Sequence, residues 1–309
     1  YTATVYEKGS EVERMIRTIV GADAFRKSMK IYIERHDGDA ATIEDFIKSF
    51  EEASGEDLSQ FALWYHQAGT PNLTISTSHD AERGEFRMEI EQSVPPTPSE
   101  SRKRLMHIPL AFGLVDQDGN DIEVTNVEGA TVENGVIHVK KRKHSVRFRG
   151  IAQRPALSLN RGFSAPITIS IEQRADDLLF LARKDSDLVA RWQALNSVFT
   201  EALMQAYRSV RGQKPIQFGE GLVRAAGEIA ADDTLEPAFR ALMLTLPAEA
   251  DIAREIGANI DPDAIHIARE ALVEEISVQN QEVFARLYRE AATSPSFSPD
   301  AQSAGQRAL

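Results

Sequence analysis

Apolar residues recur at helical spacing from residue 7 to residue 68. Val12, Met15, Ile16 and Ile19 follow an i, i+3, i+4, i+7 rule that puts them on one face of a helix. Gly21 predicts a stop, after which Phe25, Met29, Tyr32 and Ile33 continue the period in a second helix. His36-Asp-Gly-Asp39 reads as a turn. Thr42 with Asp45 three residues on has the form of a capping box, opening a third helix that buries Phe46, Ile47 and Phe50. A fourth helix is predicted from Leu58 to Ala68, closed by Gly69 with Pro71 just beyond.

At Pro71 the period changes from 3.6 to 2. Leu73-Thr-Ile75-Ser, Phe86-Arg-Met88-Glu-Ile90-Glu and Val146-Arg-Phe148-Arg alternate apolar with polar residues, and Ile108–Val115 is a more continuous apolar strand. Turn signals separate these runs at Arg83-Gly84, Asp118-Gly119-Asn120 and Asn134-Gly135. Strands over 156–159 and 167–171 complete a set of about seven or eight, the pattern of an antiparallel β-sandwich.

From Arg174 the helical period returns. Leu178, Leu179, Leu181, Leu188, Trp192, Leu195, Val198, Phe199 and Leu203 line successive helices, and further helices are predicted over 216–230, 236–245, 249–257 and 263–291. Residues 293–300 read as a loop and 301–309 as the start of another helix. The array is compatible with a helix-pair solenoid.

Charge follows the same three segments. Residues 1–69 carry net −5, residues 70–172 net 0 and residues 173–309 net −7, for a total of −12. So acidic a chain is poorly suited to general nucleic-acid binding. No apolar run approaches the roughly 18 residues of a membrane span. The chain has no cysteine, which excludes disulfides and thiolate metal sites and fits a reducing, cytoplasmic setting.

The seven histidines are His36, His66, His79, His107, His138, His144 and His266. No two lie four residues apart and none precedes a glutamate, so a helical His-Glu-x-x-His zinc site is excluded within this chain. Asp116-x-Asp118-Gly119-Asn120 has its glycine too early for a calcium loop and reads as a turn. Lys140-Lys-Arg-Lys143-His144 reads as a solvated hairpin loop.

Two tyrosines remain. On spacing alone, Tyr1 and Tyr6 are a hydrophobic staple at a helix entry. Their context says more. The stretch Tyr1-x-x-x-Val5-Tyr6-Glu7-Lys8-Gly9-x-Glu11-Val12 resembles the tyrosine motif of bacterial aminopeptidase N, a family of zinc metallopeptidases. Tyr32-Ile-Glu-Arg35-His36-Asp37-Gly38, Ala41-Thr42, Trp64-Tyr65-x-Gln67-x-Gly69-Thr70-Pro71, Phe163-Ser-Ala-Pro166 and Ile260-Asp-Pro262 are similar to that family in the same order.

The resemblance implies an α+β multidomain chain. Residues 1–69 would be the C-terminal helical part of a thermolysin-like catalytic domain, residues 70–172 an Ig-like β-sandwich, and residues 173–309 the start of a C-terminal helical domain. It implies that Tyr6 donates a hydrogen bond to the tetrahedral oxyanion of peptide hydrolysis and that Tyr1 lines the pocket for the substrate's first side chain. Zinc would be the cofactor of the parent enzyme and peptides its substrates, with no metal expected in this chain and no nucleic acid or membrane as partner. The expectation is of a chain that begins within an active site, ends within a helical array and is inactive alone. The alternative is a non-catalytic interaction module built from the sandwich and the array.

Overall fold

A computed structural model describes residues 3–98, 100–292 and 297–309. The chain divides into two compact units, residues 1–172 and 173–309.

The first unit opens with a π-helical turn, Ala3–Lys8, that runs into α1 (Gly9–Val20). Val12, Met15 and Ile16 are buried on one face of α1, as their spacing predicts. Gly21 ends α1 and starts α2 (Ala22–His36). At φ 81° and ψ 162° it occupies backbone space that a side chain would strain, and there its N–H donates to Arg17 O while its own carbonyl accepts from Phe25 N.

The predicted capping box opens α3 (Ile43–Ser54). Asp45 N donates to Thr42 Oγ1 at 3.3 Å, and Thr42 N donates to Asp45 Oδ2 at 3.0 Å. Thr42→Ala removes one half of this exchange and should cost about 1 kcal/mol, read as a lower urea midpoint at unchanged slope. Behind the cap, Phe25, Tyr32, Phe46 and Phe50 form an aromatic cluster with neighbouring ring centroids 4.8–5.2 Å apart.

The fourth helix is shorter than the sequence predicts. Only α4 (Leu63–His66) is helical, while residues 58–62 form tight turns. Gln67 leaves the helix because its amide is bound from both sides by Arg104. Arg104 N donates to Gln67 Oε1 at 2.7 Å, and Gln67 Nε2 donates to Arg104 O at 3.0 Å. Gly69 (φ 101°) therefore lies in the outgoing chain and does not cap a helix.

Among the described residues the sandwich holds nine strands: β1 (Asn72–Asp80), β2 (Glu85–Ser93), β3 (Ile108–Val115), β4 (Val127–Glu128), β5 (Val132–Glu133), β6 (Val136–Val139), β7 (Lys143–Arg149), β8 (Ala156–Leu159) and β9 (Thr168–Ile171). One sheet has the order β4-β7-β2-β1-β9 and the other β5-β6-β3-β8. Met88, Ile90, Val146 and Phe148 from the first sheet and Leu110 and Ile137 from the second are buried in one core with the helices before them. Neighbouring strands are antiparallel except at one edge, where β9 runs parallel to β1. Such pairing is open to β9 because the chain visits the opposite sheet, through β8, before returning.

The basic run is not a hairpin loop. Residues 140–142 carry the chain from β6 in one sheet to β7 in the other, and Lys143 and His144 belong to β7. His144 is buried, and its Nε2 accepts from Lys141 N at 3.2 Å.

The second unit is all helical: α5 (Ala175–Lys184), α6 (Leu188–Arg211), α7 (Glu220–Ala231), α8 (Pro237–Leu244), α9 (Glu249–Ile256), α10 (Pro262–Gln279), α11 (Gln281–Ala292) and α12 (Ala301–Ala308). The single long helix expected over 263–291 is broken at Asn280. Its side-chain amide donates to Val223 O at 3.0 Å and to Ile276 O at 2.9 Å, which ties the break to α7. Gly227 makes room for it, since a Cβ there would overlap the Asn280 side chain.

Candidate functional site

The π-helical turn displays one side of itself to solvent. Val5, Tyr6 and Glu7 are exposed, Tyr6 by 65%. A π-turn widens the helix by one residue and is a common way to re-aim a functional side chain. Tyr1 lies outside the described residues.

Lys8 differs from these three. Its side chain runs inward and is half-buried. The Lys8 Nζ donates to Gly69 O at 3.4 Å and sits 5.7 Å from the centre of the Trp64 ring. The loss of hydrating water lowers its ammonium pKa from the ordinary lysine value. The exposed tyrosine is thus two residues from a cation pinned to the base of the sandwich.

That base is a polar seam. The incoming segment 104–107 would bury unpaired backbone groups, and side chains from the helices and from β2 supply their partners. Trp64 Nε1 donates to His107 O at 2.9 Å. Gln60 Nε2 donates to Leu105 O at 3.0 Å and to Lys140 O at 2.8 Å. Gln92 takes both sides of Met106: Met106 N donates to Gln92 Oε1 at 2.6 Å, and Gln92 Nε2 donates to Met106 O at 3.0 Å. Lys103 Nζ donates to Ala68 O at 3.0 Å and to the Glu100 carboxylate at 2.6 Å, which holds Glu100 below the usual carboxylate range.

Beside the seam lies a histidine pair. His107 and His138 share a 2.9 Å hydrogen bond between Nε2 and Nδ1. His107 is 1% exposed, and its Nδ1 has no partner among the described residues. Burial pushes its pKa down to about 3, with Lys140 and His138 adding to the effect. Nothing in the sequence marks this pair, because its members are 31 residues apart.

Among the described residues no group of three His, Cys, Asp or Glu side chains has the placement to hold a metal ion. The Asp116 carboxylate is occupied as a turn acceptor for Asp118 N at 2.9 Å and Asn120 N at 2.8 Å, as expected of a turn. In the second unit, a cavity of about 950 Å³ is lined by Phe218, Arg224, Glu274, Glu275 and Asn280, without histidine. No described helix is long and apolar enough to cross a membrane.

Comparison with known proteins accounts for the motif order. Residues 1–65 match the peptidase family M1 domain, residues 69–172 a domain of unknown function with an Ig-like fold (DUF3458), and residues 175–309 a companion domain of ARM repeats (DUF3458_C). Aminopeptidase N of Caulobacter vibrioides is 41% identical over 310 residues, covering 100% of this chain and 34% of the relative. The likeness to aminopeptidase N runs the full length of the chain. Aminopeptidase N of Escherichia coli is 36% identical over 93% of the chain and 33% of its own length. The chain therefore spans about a third of the length of the aminopeptidase N relatives it matches. A crystal structure of Legionella pneumophila aminopeptidase A in complex with aspartic acid superposes with a TM-score of 0.85 at 25% identity, over 100% of this chain and 34% of that one. The fold expected from the resemblance, helices followed by an Ig-like sandwich and a helical array, is the fold found.

Proposed function

We propose that this chain is the C-terminal part of the catalytic domain, the β-sandwich and the first part of the helical domain of a zinc-dependent aminopeptidase. On this reading the domains are residues 1–69, 70–172 and 173–309. The whole enzyme removes single N-terminal residues from peptides in the cytoplasm. The observation that carries the proposal is the similarity to aminopeptidase N over the full chain, with the tyrosine motif at the start of its M1-domain match.

The proposed chemistry of this segment belongs to Tyr6. Attack on a peptide carbonyl moves negative charge onto its oxygen. A phenol O–H aimed at that oxygen donates a hydrogen bond that strengthens as the charge grows, so it favours the transition state over the bound substrate. The 65% exposure of Tyr6 supports this reading, because its ring can be reached from solvent. Tyr1 is assigned to the pocket for the substrate's first side chain. The described residues do not fit a zinc site, so the zinc ligands are assigned to other segments of the enzyme.

The test is direct. The chain by itself should release no N-terminal residue from a peptide and should carry no stoichiometric zinc after dialysis. One tightly held zinc per chain by metal analysis, or peptide turnover by the isolated chain, overturns the proposal.

A further inference from the structure

We propose that Lys8 is a positioning residue for Tyr6: it fastens the tyrosine-bearing turn to the junction between the helices and the β-sandwich. The inference rests on the role given above to Tyr6.

Tyr6 is carried on a six-residue π-helical turn that runs into α1. Val5, Tyr6 and Glu7 are exposed on it. A hydrogen-bond donor that must meet a developing oxyanion needs a fixed position, since displacement by about 1 Å can cost on the order of a hundredfold in rate. The described structure offers Lys8 as the tether. It is the first residue of the turn after Tyr6 that points inward, and it reaches two partners that are themselves held.

The first partner is the Gly69 carbonyl, 3.4 Å from Lys8 Nζ. Its direction is set by the left-handed backbone of Gly69, where an added Cβ would meet Pro95 O and Val94 Cγ1 at 3.4 Å. The second is the Trp64 ring, 6% exposed and locked by its own indole N–H on His107 O. A cation over an indole face and against a carbonyl gains from both the ring quadrupole and the carbonyl dipole, more so when partly desolvated. Ala68, next to Gly69, is gripped in turn by Lys103 and Glu100. The tether thus ends on the polar seam and not on a loose strand. The sandwich accordingly contributes to catalysis without touching substrate, by fixing the far end of this tether.

The experiment is a double-mutant cycle in the full-length enzyme, with Lys8→Met, Lys8→Arg, Tyr6→Phe and the Lys8→Met/Tyr6→Phe pair. Lys8→Met should lower kcat by at least about tenfold with KM within about twofold, at unchanged thermal stability. Lys8→Arg, which can still reach the ring and the carbonyl, should recover most of the rate. In the Tyr6→Phe background, Lys8→Met should cost less than about twofold, because a tether has no effect once the hydroxyl it positions is gone. If Lys8→Met does not yield folded enzyme, Lys8→Gln gives the same readings. An equal loss in both backgrounds, or full activity of Lys8→Met beside a weakened Tyr6→Phe, overturns the tether. Unchanged kcat in Tyr6→Phe alone overturns the role of Tyr6 first, and the tether with it.

Discussion

Tyr6→Phe in the full-length enzyme is expected to lower kcat by about two to three orders of magnitude while leaving KM nearly unchanged. The substitution deletes one oxygen and keeps the ring. Tyr6 is 65% exposed on a helical turn, so the change should leave stability within about 0.5 kcal/mol. The loss is therefore expected in chemistry and not in the amount of folded enzyme. A donor that acts only on the charged intermediate contributes little to substrate binding, which is why KM should hold. Removing one such donor typically costs about 3 kcal/mol of transition-state stabilisation. An unchanged kcat would take Tyr6 out of the mechanism and reduce the motif to a helix entry. A matched rise in KM with kcat constant would assign it to substrate binding instead.

The helical faces were legible because a single period decides them. The spacing of Val12, Met15 and Ile16 and the Thr42–Asp45 box needed no tertiary information, and each is present as read. Asn134-Gly135 was legible as a tight turn for a similar reason: both residues sit at positive φ, 50° and 75°, which that pair tolerates better than most. What escaped depended on partners far along the chain. The helix predicted to reach Ala68 ends early because Gln67 finds Arg104, 37 residues on. The break at Asn280 needs the Val223 carbonyl and the space above Gly227. The basic run looked like a loop because a crossing between sheets leaves no mark in local pattern.

The site divides in the same way. Tyr6 could be named because its neighbours form a recognisable motif. Lys8 stood within that motif yet drew no role, since its acceptor lies 61 residues away. Trp64 and Gln67 stand in a family-like motif, which by itself assigns them no contact. Their indole and amide groups turn out to satisfy the backbone of residues 104–107. The signal the sequence does carry is two glutamines and a tryptophan just before a segment boundary, residues able to complete the backbone of an irregular strand. Sequence spacing gives no way to rank that use above ordinary surface polarity.

Acid is expected to weaken the first unit through the histidine pair. His107 has a folded-state pKa of about 3, against about 6.5 in an unfolded chain. Its cause is burial first, then the positive charges of Lys140 and His138. His138 is shifted the same way, mainly by burial, although Glu133 and Glu56 oppose the shift. The sign follows from proton counts. Between pH 6.5 and 3 the unfolded chain binds more protons at this site than the folded one, so stability is complete above about 6.5 and falls as pH drops. For His107 alone the loss between pH 7.5 and pH 5 should be about 2 kcal/mol. Geometry adds to the effect. The Nε2–Nδ1 hydrogen bond needs one neutral acceptor, so two protonated rings would set N–H against N–H at 2.9 Å. The unpartnered Nδ1 of His107 gives an added proton no carbonyl or carboxylate to meet. Urea unfolding at pH 7.5 and pH 5 should therefore show a steeper loss for the native sequence than for His107→Phe, by about 2 kcal/mol. Equal losses in the two proteins would mean that His107 takes up its proton in the folded state at an ordinary pH, and that the pair is not the acid-sensitive point of the junction.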